Sequence, residues 1–142
     1  MYPPQIVLPM KAELTQAGFA DLTTPEQVIS AIESTTAPET ETLLLVINSV
    51  CGCAAANARP GAKMSIEFSE KRPRQLATVF AGFDTEAVAT ARQFTLPYPP
   101  SSPSMALFKN GKLVHFIERH QIEGVSAQNI AKNLITAFET YC

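Results

Sequence analysis

The sequence predicts an α/β fold: one domain over residues 1–142, with a mixed four-stranded sheet, flanking helices and an added helical N-terminal segment. Three observations carry this. Leu43-Leu44-Leu45-Val46-Ile47 is a short, continuous aliphatic run, the pattern of a strand buried on both faces of a parallel sheet. Beyond residue 42 the patterning alternates between strand and helix in the order β-α-β-α-β-β-α, and strands joined through a helix run parallel with a right-handed crossover. Asn110-Gly111, between two apolar segments, signals a hairpin and hence an antiparallel pair.

The elements follow in order. Ile6, Met10, Leu14 and Ala17 recur at helical spacing across residues 5–17, and Gly18 is placed to end that helix. Thr24-Pro25-Glu26-Gln27 opens a second helix: Thr24 is the cap, Pro25 suits the first helical position and Gln27 completes a capping box. Val28, Ile29 and Ile32 are expected to face the core. Ala37–Glu41 is a polar linker into the first strand, Leu43–Asn48. The alanines of Cys51-Gly52-Cys53-Ala54-Ala55-Ala56 favour a helix starting at or just after Cys51. Pro60 removes one of its hydrogen bonds, so a kink is expected there. Gln75–Phe80 is the second strand, and Asp84-Thr85-Glu86 an acidic helix start with Val88, Ala91 and Phe94 behind it. Leu96–Ser104, with four prolines, is a loop. Ser104–Lys109 and Lys112–Glu118 form the hairpin. Ser126 caps a last helix carrying Ile130, Leu134, Phe138 and Tyr141 on one side.

Composition narrows the function. Apolar residues are 46% and charged residues 17%, which excludes global disorder. A net charge of −2 argues against holding nucleic acid by phosphate neutralisation, and the basic turn Lys71-Arg72-Pro73-Arg74 is too small to reverse that. No basic, apolar leader opens the chain, and no apolar run approaches the ~20 residues that span a bilayer. Three cysteines are too few for a disulfide scaffold, and the odd number leaves at least one unpaired. A cytoplasmic protein is expected, where a cysteine is kept for its chemistry more often than for a bridge.

Cys51 and Cys53 are the candidate catalytic pair, with Gly52 between them. They sit where a buried strand becomes a helix, and the free N–H groups and dipole there favour a thiolate. A thiol with a pKa of ~8.5 is about 3% ionised at pH 7, and lowering it to ~7 makes that about half. With one intervening residue a disulfide ring is tight; Gly52, lacking Cβ, relaxes it. A strained bridge is easily reduced, which suits taking a small thiol from a client or shuffling disulfides. Two other readings compete: cysteines as small buried hydrophobes, and a Cys-x-Cys metal module. For a metal, only Cys142, His115 and His120 could supplement the pair, and none lies at a recognised ligand spacing, so no metal is expected. Cys142 reads as an incidental thiol, His115 as a packed or edge residue and His120 as solvated.

A strand, a cysteine pair opening a proline-kinked helix, and a Pro-led strand paired through Lys-Asn-Gly-Lys resemble the thioredoxin fold. More narrowly, the chain resembles the bacilliredoxins. The residues that carry this are Asn48–Ala55, Ala58-Arg59-Pro60, Val79–Gly82, Ser101–Leu107, Val114–Ile117, Arg119-His120 and Ile122-Glu123-Gly124. The resemblance implies removal of bacillithiol from S-thiolated client proteins, with the thiol as co-substrate and no other cofactor, and a weaker disulfide isomerase activity. Cys51 would attack and Cys53 resolve. Ser102-Pro103 sits where the superfamily places a cis-proline beside the cysteines, ready to pair with substrate backbone. Arg59 or Arg119 could contact carboxylates of the small thiol.

Overall fold

The computed structural model describes residues 1–142. Its helices are α1 (Pro4–Thr15), α2 (Pro25–Glu33), α3 (Arg59–Phe68), α4 (Thr85–Gln93) and α5 (Ala127–Tyr141). Its strands are β1 (Ala20–Asp21), β2 (Thr42–Asn48), β3 (Gln75–Phe80), β4 (Ser104–Lys109) and β5 (Lys112–Ile117). The sheet order is β1-β3-β2-β4-β5. β2 runs parallel to β3 and antiparallel to β4, with Leu45 opposite both Ala77 and Ala106.

Five strands replace the expected four. The addition, β1, pairs two residues in parallel with β3 at the sheet edge, and both side chains are exposed. Two exposed residues have no periodicity to read.

β2 is buried along its whole length, and its alternation splits the core into two layers. Leu44 and Val46 join Leu14, Ile66, Leu134 and Phe138 on one face. Leu43, Leu45 and Ile47 join Val28, Ile32, Val88 and Phe108 on the other. Each such side chain, fully buried, contributes roughly 1.5–3 kcal/mol.

Two helix faces differ from expectation. α2 buries Val28 and Ile32, four residues apart, while Ile29 points outward. The capping box of Thr24 and Gln27 is present as expected. α1 buries Val7, Lys11 and Leu14, not the stripe through Ile6 and Met10. The cause is Lys11, whose ammonium pairs with Asp84 at 2.6 Å and Asp21 at 3.1 Å. Burial disfavours that charge, but the hydrogen bonds to Asp84 and Asp21 outweigh it and hold the Lys11 pKa above its ordinary value.

Asn110 and Gly111 have φ of 53° and 78°, which the hairpin turn requires. The sequence predicts a kink at Pro60; what the structure shows is a π-helical stretch just ahead of it, Ala54–Ala58, in which the Arg59 N–H donates to the Ala54 carbonyl five residues back.

Candidate active site

β2 ends in Asn48, and the chain turns there through Ser49-Val50-Cys51-Gly52-Cys53. The buried Asn48 Oδ1 accepts from the Ser49 N–H at 2.9 Å, and the Ser49 hydroxyl accepts from the Cys51 N–H at 3.2 Å. Behind the turn lies Arg59, only 1% exposed. Its Nη1 donates to Asn48 Oδ1 and to the Ser49 carbonyl, both at 2.9 Å. Its Nε pairs with Glu13 of α1 at 3.2 Å. Asn48 Nδ2 donates to the Met10 carbonyl, so α1 and β2 hold the turn together.

Helical bonding starts at once: the Cys51 carbonyl accepts from the N–H groups of Ala54 and Ala55 at 2.9 and 3.3 Å. Cys51 Sγ faces two donors, the Cys53 N–H at 3.4 Å and Arg119 Nη2 at 3.3 Å. The Cys51 pKa lies below the ordinary thiol value, first because the Cys53 side chain hydrogen-bonds it and further through the Cys53 N–H and the Arg119 charge. Cys53 packs against the core layer under α3 and α5. Burial raises its pKa, and donating to Cys51 raises it further. The two thiols are thus driven apart: one toward thiolate, its neighbour toward thiol.

The Ser102–Pro103 peptide is cis, and Ser104 pairs with Ile47 at the end of β2, beside the cysteine turn. The Ser102 carbonyl accepts from Arg119 Nη1 at 3.3 Å. Arg119 therefore bridges the cysteine turn and the proline loop, while its Nε pairs with Glu123. Tyr2, Ser49, Cys51, Gly82, Ser102 and Arg119 line a cavity of about 220 Å³.

Arg119 is 68 residues from Cys51 in sequence, and nothing local to either marks the contact. Arg59, read from sequence as one possible carboxylate contact, is instead a buried brace. His115 is half-buried, with Nε2 2.7 Å from Asn133 Oδ1 on α5, as a packed residue would be. His120 is exposed beside Glu118. Cys142 contacts Thr42 at the opposite end of β2, a strand roughly 20 Å long, out of reach of Cys51 and Cys53. No three His, Cys, Asp or Glu side chains converge as a metal-binding group.

The family model for disulphide isomerase matches residues 2–142. A bacilliredoxin of Cytophaga hutchinsonii is 58% identical over 139 residues, covering 98% of each chain. The chain belongs to the bacilliredoxin family. A Bacillus cereus bacilliredoxin is 51% identical over 141 residues, covering 99% of this chain and 95% of its own. Among solved structures, mitochondrial thioredoxin 3 of Saccharomyces cerevisiae superposes with a TM-score of 0.59 at 16% identity, covering 90% of this chain and 98% of its own. Fasciola hepatica thioredoxin gives 0.59 at 16% identity, covering 87% and 100%. The fold is that of thioredoxin, and the bacilliredoxin chain is a thiol-disulfide oxidoreductase. None of its helices is long and apolar enough to cross a membrane.

Proposed function

We propose that this chain removes bacillithiol from mixed disulfides on cytoplasmic client proteins, with Cys51 as the attacking thiol, Cys53 as the resolving one and the Ser102-Pro103 loop as the substrate-binding edge. The single observation that carries the roles is the asymmetry of the pair: Cys51 lines a cavity and its Sγ faces two donors, whereas Cys53 packs against the core.

The chemistry balances within the dithiol. Cys51 thiolate attacks the small-thiol sulfur of the mixed disulfide, forming a Cys51–thiol disulfide and expelling the client cysteine as a thiolate. Cys53 loses its proton to the leaving thiolate or to water and attacks Cys51 Sγ. The small thiol departs and the Cys51–Cys53 disulfide closes. Two electrons pass from the dithiol to the mixed disulfide.

The test is the Cys53→Ser variant incubated with a bacillithiolated client. Intact mass should show a stable adduct of one bacillithiol mapped to Cys51, where the unaltered protein releases it. An unmodified variant beside a still-thiolated client would refute attack by Cys51. Equal capture of glutathione would leave the chemistry and remove the assignment to bacillithiol. The family model's description favours a second reading, rearrangement of protein disulfides. In that case the same variant would accumulate as a covalent complex with a protein client.

A further inference from the structure

If the active site takes small thiols from clients, it needs a way to tell one thiol from another. Arg59 cannot serve, because it is sealed in the interior by Asn48, Ser49 and Glu13. The cavity that Cys51 lines contains one cationic side chain, Arg119. Its three nitrogens face different partners: Nε faces Glu123, Nη1 the Ser102 carbonyl and Nη2 the Cys51 sulfur. Glu123 thus anchors the guanidinium from behind and leaves its outer edge turned toward the sulfur and the cavity.

We propose that Arg119 is a specificity residue that receives a carboxylate of the small thiol while that thiol is bound to Cys51. The inference rests on the de-thiolation reading and adds to it the residue that reads the charge of the thiol.

Before attack, Nη2 faces the Cys51 thiolate. During attack the negative charge passes to the client sulfur, and Cys51 becomes half of a neutral disulfide. Nη2 then loses its anionic partner, although Glu123 still faces Nε, and the thiol is now tethered to the sulfur that Nη2 faced. A carboxylate on that thiol meets Nη1 and Nη2 side by side, the fork geometry in which guanidinium binds carboxylate. A neutral thiol leaves the donor to water, and a cationic thiol meets repulsion. Arg119 is exposed, so the expected discrimination is modest, about fivefold.

The experiment uses the full chain and one single-cysteine client carrying 3-mercaptopropionate, 2-mercaptoethanol or cysteamine on the same cysteine. Release rates should fall in that order, with about fivefold between the anionic and the neutral adduct. Arg119→Gln should slow all three, because the thiolate loses a donor, and should also abolish the order among them. Arg119→Lys should restore part of the order. A side chain that only supports the turn would change the rates together and leave their ratios alone. Equal rates for the three adducts with the unaltered protein, or an unchanged order in Arg119→Gln, would overturn the proposal. Release of none of them by the unaltered protein would overturn the de-thiolation reading on which it stands.

Discussion

Nη1 of Arg59 lies 2.9 Å from Oδ1 of Asn48, sealed in the interior beneath the turn that carries Cys51. The same nitrogen also reaches the Ser49 carbonyl. A buried cation is tolerated only where polar partners surround it, and here these partners are the end of β2 and the start of the cysteine turn.

Arg59→Met should therefore lower stability by about 3 kcal/mol and slow thiol exchange, since the turn loses its brace. Glu13→Gln should cost less, about 1 kcal/mol, because Glu13 is 42% exposed and its pair is screened. Urea unfolding of the two variants checks the order. Equal midpoints for Arg59→Met and the unaltered protein would show that the brace does not stabilise the fold.

The Cys51 thiolate owes its stability first to the Cys53 side chain. Replacing Cys53 by Ser retains a donor and replacing it by Ala removes one, so Cys51 should alkylate with a lower pH midpoint in Cys53→Ser than in Cys53→Ala. Iodoacetamide rates across pH measure both. Coincident midpoints would assign the shift to the backbone and Arg119 instead.

Burial raises the pKa of Cys142, as it does that of Cys53. For an acid whose pKa is raised by folding, the unfolded chain holds fewer protons once pH exceeds the ordinary thiol value. The stabilising contribution is complete below that value and is lost as pH rises through the folded one. Cys51 has the opposite sign: its contribution is present above the ordinary value and is lost as pH falls through its depressed one. Cys142→Ala should thus flatten the fall in Tm as pH rises above the ordinary thiol value while leaving turnover unchanged. An identical alkaline slope would remove Cys142 from that account.

A Cβ added at Gly61 would lie 2.7 Å from Ile130 Cγ2, where α3 crosses α5. Ala gains helix propensity over Gly, about 0.5–1 kcal/mol, but overpacking costs about 1–3 kcal/mol. Gly61→Ala should be destabilising on balance. Adding Ile130→Ala, which removes Cγ2, should cost less in the Gly61→Ala background than alone. Strict additivity in thermal unfolding would refute the contact.

The legible parts of this sequence were those with local patterns: the aliphatic run of β2, the Thr24–Gln27 box, the Asn110-Gly111 turn and the Cys-Gly-Cys between strand and helix. What stayed hidden depends on distant partners. Lys11 sits on the buried face of α1 because Asp21 and Asp84, from two other segments, surround its ammonium. Arg59 is buried because Asn48, Ser49 and Glu13 converge on it. Arg119 meets Cys51 only once β5 has been laid beside β4. Charged residues carry no periodic signature of burial, so a reading by hydropathy leaves each of them on the surface.

Tyr2 forms one wall of the cavity that Cys51 lines, and its N–H is tied to the Gly82 carbonyl at 3.2 Å. Cys142 lies at the far end of the sheet. The two ends of the chain are therefore unequal places to attach anything. A purification tag or fluorescent partner joined ahead of Met1 would crowd the cavity that Tyr2 and Cys51 share. The same cargo joined after Cys142 would hang from the opposite pole, leaving Cys51 and Cys53 uncovered.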